Sequence, residues 1–383
     1  MKPLYTKGEI IGVDLFAGAG GMSLGARLAG INVRLAIDKD SHAAATYAHN
    51  HRSTHVIVAD IKDIAKIDVA KGSGISVLFG GPPCQGFSTS NQRTRGSNNK
   101  ANWLFKEFIR IVNLWRPDWV VFENVRGIVE TEQGIFRDHI INGLEDLGYK
   151  TSSGILCSSG FGVPQVRSRF FVVGSIEGIA VEMPRPSTKK PVTVKQAISD
   201  LPGLQNGARI DFLPYPVRLC SRYAKTMRNG GGECGNHIVT NNAEHVVDRY
   251  KHIPQGGNWE NIPKELMTNY KDRSRCHTGI YRRLRWDKPS VVIGNYRKNM
   301  LVHPTEHRGL SVREAARLQS FPDWYEFKGS IGFQQQQVGN AVPPLLAAAV
   351  FSLIVEKVAG TRPQSVLYAD AIRFGNELHM GNN

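Results

Sequence analysis

Residues 10–30 read IIGVDLFAGAGGMSLGARLAG. The first seven alternate too little to be a half-solvated strand and are too few for a buried helix. A short apolar run of this kind is a strand buried on both faces, here with one acid, Asp14, inside it. It runs straight into a glycine-rich turn, and MSLGARLAG then takes helical spacing and closes on Gly30. Glycine lets such a turn adopt positive φ and lets a ligand approach the backbone. Strand, glycine turn and helix form the opening unit of a doubly wound α/β sheet, whose ligands bind outside the carboxyl ends of the strands.

The rest of the first half keeps that rhythm. VRLAID, HVIVAD, ISVLFG and WVVFENV read as strands, and HAAATYAHN, WLFKEFIRIVNLW and GIFRDHIINGLEDLG as helices. TSSGILCS and SRFFVVGS follow as two more strands. Alternation at this spacing predicts a mainly parallel sheet with helices on both faces. Beyond residue 181 the rhythm breaks into Pro-, Gly-, Asn- and Arg-rich sequence, with SVVIGNY a short strand candidate. We therefore expect three segments: 1–181 as a cofactor-binding domain, 182–300 as a smaller irregular, partly β domain, and 301–383 returning to the first. SVREAARLQSF and the apolar PPLLAAAVFSLIVEKVAG are the helices of that return.

Charge is unevenly placed. The chain carries +15, and residues 185–298 hold 21 Lys and Arg against 9 Asp and Glu, a net +12. A polyanion-binding surface needs such a concentration, because phosphate contacts supply most non-specific affinity. No apolar run reaches the roughly 20 residues that span a bilayer. The first apolar stretch is interrupted by Asp14, so it reads as a buried strand and not a leader. Five cysteines (84, 157, 220, 234 and 276) without a C-x-x-C pair argue for a reducing compartment. Cys234 and His237 have metal-like spacing, but four paired ligands are not visible, so no metal is expected.

The candidate chemistry sits at strand ends. Asp38 and Asp60 close the second and third strands, where a carboxylate can accept bonds from ribose hydroxyls or an adenine amine. With the glycine turn they favour an adenosine-containing cofactor. GGPPCQGFS (80–88) places Cys84 where the fourth strand ends, on a turn that Pro82 and Pro83 restrict. The polar stretch 88–102 reads as a loop able to close over a substrate. Position and sequel favour a nucleophilic cysteine over a buried one. Glu123 ends the next strand, placed to protonate or bond a ring nitrogen. GVPQVRSRF puts Arg167 and Arg169 on one face of an alternating strand, from which both guanidiniums are expected to orient Glu123 or hold a carbonyl oxygen.

These residues resemble the DNA (cytosine-5) methyltransferases of prokaryotic type. DLFAGAGG, GGPPCQGFS, FENVRG, GVPQVRSR, REAARLQSFPD and QQVGNAVPP occur in that family's order, over most of the chain. The resemblance implies a Rossmann-like S-adenosylmethionine-dependent catalytic domain and a small target-recognition domain falling on the basic segment. It implies a flipped-out cytosine, attacked at carbon 6 by Cys84 and methylated at carbon 5. Glu123 would hold ring nitrogen 3, Arg169 the carbonyl oxygen, with Arg167 and Asn124 supporting. Phe16, Ala17, Gly18, Gly20, Asp38, Asp60, Ile61, Leu104 and Asn340 would surround S-adenosyl-L-methionine. Asp38 stands where the family commonly has Glu. The partner implied is double-stranded DNA, bound by a cytoplasmic, nucleoid-associated monomer with no membrane attachment. It would be a solitary methylase or one sharing its site with a restriction endonuclease that does not bind it stably.

Gln85, Ser88, Arg93, Arg95, Arg222, Arg228, Arg273, Arg275, Arg282 and Arg283 are the candidate DNA contacts, and Lys225 joins them as a basic residue of the recognition segment. Two alternatives stay open from sequence: an RNA cytosine-5 methyltransferase on the same fold, and an inactive DNA-binding regulator. An amino-methylating enzyme would carry a polar-Pro-Pro-aromatic turn, and here the turn is Gly-Pro-Pro-Cys.

Overall fold

A computed structural model describes residues 9–83, 103–216, 221–268, 278–294, 296 and 300–360. Seven strands form one sheet: β1 (Ile10–Leu15), β2 (Asn32–Asp38), β3 (His55–Val58), β4 (Ile75–Gly80), β5 (Trp119–Val125), β6 (Lys150–Cys157) and β7 (Ser168–Ser175). Their order is β3-β2-β1-β4-β5-β7-β6. The first five are parallel and β7 runs antiparallel to both of its neighbours. Strand order reverses between β1 and β4, and a ligand crevice forms at such a point.

Both sheet faces are covered, which is why the strands read as continuous apolar runs. On one face Ile10, Val77, Phe79, Trp119 and Val121 pack against α1 (Gly21–Leu28) and the long helix Pro344–Ala359. On the other, Val13, Leu15, Leu78, Val120 and Phe122 meet α3 (Phe105–Trp115) and α4 (Ile135–Glu145). The long helix is apolar because Leu346, Ala347, Val350, Phe351 and Ile354 are wholly buried in this core. Between β2 and β3 lies α2 (Ser41–Asn50), capped by Asp40 through the amides of His42 and Ala43.

Gly25 is where α1 and the long helix touch. A Cβ there would lie 2.5 Å from Ala347 Cβ and 2.7 Å from the Pro344 carbonyl oxygen. Alanine would gain about 1 kcal/mol of helix propensity. Forcing the helices apart costs roughly 1–3 kcal/mol, and backbone atoms cannot move aside cheaply. We expect Gly25→Ala to lower stability by up to about 2 kcal/mol, measured by urea unfolding.

The described residues divide into two compact units, one made of 9–161, 168–187 and 342–360, the other of 162–167 and 188–341. Residues 301–341 thus belong with the second unit, whereas the sequence reading returns them to the first. Helix Val312–Leu318 explains the difference: Arg313 and Arg317 on it bind Gly235, Pro322, Tyr325, Asp200 and Asp323, all in the second unit. The second unit has little regular β structure among its described residues. Leu213–Pro214 pairs with Glu233–Cys234. SVVIGNY is not a strand: Ser290 makes one isolated bridge to Gln165, and residues 291–294 are irregular.

Candidate active site

Because β1 to β5 are parallel, their carboxyl ends share one edge. There Phe16 (φ 57°), Gly18 (φ 54°) and Gly20 (φ 87°) all take left-handed backbone. Phe16 is not glycine, so its conformation is strained and must be held by its surroundings. Two bonds hold the turn: the Ala17 amide donates to the Ile37 carbonyl at 3.1 Å, and the Gly18 amide to Asp38 Oδ2 at 2.7 Å. Asp38 Oδ1 accepts the Asp40 amide at 2.8 Å. Each Asp38 oxygen keeps a second lone pair for a ligand hydroxyl. Burial raises the Asp38 pKa, opposed by these amide bonds.

Asp60 is half-buried and caps the turn Ile61–Asp63 by accepting the Lys62 amide, and Ile61 is buried. Leu104 stands half-buried at the start of α3. Asn340 ends helix Ile331–Asn340 in the second unit and is exposed.

Asp14 is the residue the candidate set omits. It is 1% exposed, and its Oδ2 accepts the Ser23 hydroxyl at 2.6 Å. Its Oδ1 has no donor among the described residues. Burial drives the Asp14 pKa well above the usual carboxylate range, the Ser23 bond opposing and the Asp38 charge adding. The signal was in the sequence: one acid within a strand otherwise apolar.

Across the switch point, Gly80 and Gly81 bring the end of β4 against β5. A Cβ on Gly81 would lie 2.5 Å from Glu123 Oε2, so only glycine fits that close to the carboxylate. Glu123 Oε1 receives the Arg169 guanidinium Nε at 2.8 Å, with 8% and 11% of the two side chains exposed. Burial lowers the Arg169 pKa, and the Glu123 charge and hydrogen bond oppose this. Asn124 is buried and donates through Nδ2 to the Pro82 carbonyl at 3.1 Å, tying β5 to the same turn. Cys84 is next in sequence after Pro83 and lies outside the described residues, as do Gln85, Ser88, Arg93, Arg95, Arg273 and Arg275.

Three expectations need correction. Arg167 and Arg169 do not share a strand face, because β7 begins at Ser168. Arg167 is buried and donates to the carbonyls of Ile293 (2.6 Å) and Gly339 (3.0 Å). Arg283 is buried and donates to the carbonyls of Ile253, His303, Glu306 and Tyr250, so it bridges protein segments and cannot reach DNA. Arg228 binds Asp200 at 2.7 Å and stacks 4.0 Å over the Tyr215 ring. Arg222 and Lys225, by contrast, are exposed on helix Arg222–Arg228, and Arg282 is half-exposed.

Cys234 and His237 hold no shared ligand geometry. The Cys234 thiol donates to the Leu213 carbonyl at 3.6 Å, and burial pushes its pKa up to about 11. His237 lies between Ser311 Oγ (2.9 Å) and the Pro202 carbonyl (2.8 Å).

Comparison with known proteins decides the family. The profile of the C-5 cytosine-specific DNA methylases matches residues 10–356. The chain belongs to that family. Among relatives, the Type II methyltransferase M1.HphI of Haemophilus parahaemolyticus is 36% identical over 349 residues, 90% of this chain and 86% of that protein. M.DdeI of Desulfomicrobium norvegicum is 34% identical, over 88% of this chain and 86% of that one. In fold, the enzyme is similar to a prophage-encoded E. coli protein solved as a candidate DNA modification methyltransferase, with a TM-score of 0.74 over 92% of this chain and 100% of that chain, at 23% identity.

The methylase transfers a methyl group from S-adenosylmethionine to carbon 5 of cytosine in DNA, and a covalent cysteine adduct is the family's general mechanism. The residues at this sheet edge fit that cofactor. Buried Asp14 offers an unused oxygen to its cationic end, Asp38 offers lone pairs to hydroxyls, and the space above Gly18 is open to 4 Å.

Proposed function

We propose that the turn Gly80–Pro83 presents the Cys84 sulfur to a flipped cytosine whose ring edge is held by Glu123 and Arg169. The observation that carries this reading is the buried Glu123–Arg169 pair, packed against the glycine that precedes Pro82, Pro83 and Cys84. A duplex base must leave the stack to be reached, at a cost of a few kcal/mol, roughly, that DNA contacts offset. The Cys84 thiolate bonds to carbon 6, and the ring electron pair moves to carbon 5. Glu123 steadies the developing charge at nitrogen 3, and Arg169 both fixes Glu123 and faces the carbonyl oxygen. Asn124 keeps the turn and β5 in register. Carbon 5 gains the methyl group and then gives its proton to water, and the freed C–H electron pair re-forms the 5,6 double bond as the Cys84 sulfur leaves carbon 6.

S-adenosylmethionine, when bound, supplies an electrophilic methyl group on a cationic sulfur. Phe16, Ala17, Gly18 and Gly20 line its seat, Asp38 takes the ribose, Asp60 and Ile61 the adenine, and Leu104 the remainder. Asp14 joins this set and faces the positive end. Arg167 acts within the second unit by clamping two of its own carbonyls. Of the candidate DNA contacts, Arg222, Lys225 and Arg282 are the described ones open to solvent, and they take phosphate contacts first.

Relatives named as Type II methyltransferases support action on DNA. On that basis we read a cytoplasmic monomer, either a solitary methylase or one sharing its duplex site with an endonuclease that does not bind it stably. Bisulfite sequencing of plasmid DNA incubated with the protein and S-adenosylmethionine tests all of this chemistry. Protected cytosines confined to one fixed context are expected, and unprotected DNA would refute the reading. Glu123→Gln should cut the turnover number by about 10²–10⁴-fold, the range for a lost acid–base group, with DNA affinity retained.

A further inference from the structure

Behind the glycine turn runs a chain of hydroxyls that ends on Asp14. Tyr47 on α2 is wholly buried, and its hydroxyl donates to Ser23 Oγ at 2.6 Å. Ser23 on α1 is equally buried and donates its own O–H to Asp14 Oδ2 at 2.6 Å. Because Oδ2 is taken, a proton on this carboxyl sits on Oδ1, the oxygen with no donor among the described residues. Proton and ligand cation therefore compete for one atom.

We propose that Tyr47 and Ser23 are positioning residues which hold Asp14 as a one-oxygen anion, so that the cationic end of the cofactor is received at Oδ1 in exchange for a proton. The proposal rests on the cofactor reading above. It concerns two residues that touch no substrate and act through a third. The other groups around the chain set its balance. Burial first, then the Asp38 charge from β2, push the Asp14 pKa up, and the Ser23 bond pulls it down. Arg27 on α1 lowers the Tyr47 pKa against the larger effect of burial. His51, after α2, is held neutral: burial and then Arg27 lower its pKa to about 3. The Ser23 bond is thus a direct opponent of protonation at Asp14.

The sign follows from linkage. Cofactor binding needs the carboxylate, so affinity is full above the Asp14 pKa and falls about tenfold per pH unit below it. Losing one hydrogen bond to the charged form raises that pKa by about one unit. Calorimetric titration of the full chain with S-adenosylmethionine and with S-adenosylhomocysteine, from pH 5 to 9, reads this directly. Ser23→Ala is expected to move the acid limb up by about one pH unit, roughly tenfold weaker binding on the limb, with the alkaline plateau unchanged. Tyr47→Phe should move it the same way by less, and it carries the test if Ser23→Ala does not fold. Uniform weakening at every pH, with the limb unmoved, would show only structural support and overturn the proposal. Asp14→Asn should abolish the limb. Wild-type affinity and limb in that variant would refute the seating of the cofactor on Asp14, a failure separate from that of the hydroxyl chain.

Discussion

Cys84→Ser is expected to abolish methyl transfer while leaving duplex binding within about threefold of wild type. A serine hydroxyl is far less acidic than a thiol, so almost none is ionised at neutral pH, and an unactivated hydroxyl cannot add to carbon 6. Removing a covalent nucleophile costs enzymes roughly 10³–10⁶ in turnover. Phosphate contacts elsewhere set the affinity and should survive. Filter-bound counting of labelled methyl groups and a gel shift on the same duplex measure the two quantities. A duplex carrying 5-fluorocytosine adds an independent readout. Fluorine at carbon 5 cannot leave as a proton, so the elimination step stalls and a protein–DNA adduct should accumulate in the wild type alone. Turnover persisting in Cys84→Ser, or adduct forming on that variant, would remove the nucleophile assignment.

Arg317→Ala is expected to destabilise the second unit by roughly 3–5 kcal/mol, the cost of stripping one partner from a buried ion pair. Arg317 is wholly buried, and its guanidinium bonds Asp323 twice (2.8 and 2.6 Å), Asp200 at 2.5 Å and the Ala197 carbonyl at 3.0 Å. Tyr215 bonds Asp323, and Arg228 bonds Asp200, so the group is shared by both carboxylates. Without it two buried negative charges face each other with less compensation. Burial alone would raise the Asp323 pKa, but Arg317 outweighs this and holds it below the usual value. That stabilisation is present above the unfolded carboxylate pKa of about 3.9 and is lost as pH falls through the lowered folded value. Urea unfolding at pH 7 tests the size of the effect. Arg222→Ala, an exposed site on the same unit, should stay within about 0.5 kcal/mol of wild type and instead weaken DNA binding. Equal stability losses at the two positions would contradict the division into interior and surface arginines.

That division marks how far a linear reading reaches. The strands and helices of residues 10–175 were legible because each is set by local periodicity. Val13 and Leu15 face one way from β1 and Ile10 the other, and both faces are covered. The turn at Gly18 and Gly20, the acid Asp38 and the Glu123 position were legible for the same reason, since strand ends fix where such residues stand. The irregular second unit was not. SVVIGNY has a strand's composition, but among its described residues only Ser290 finds a strand-like partner, and β propensity without a partner does not make a strand.

Sequence by itself determined the run of strands and helices, from which a mainly parallel sheet follows, the glycine-rich turn after the first strand and the family motifs, each of them read from residues close together in the chain. Only the tertiary structure decided which guanidiniums are buried against protein partners, that Glu123 takes Arg169, and that one Asp14 oxygen has no donor among the described residues. Those outcomes turn on partners far apart in sequence, as Arg317 and Asp200 are by 117 residues. A charged side chain spends its hydrogen bonds on whatever folding brings within about 3 Å, and no local pattern encodes that.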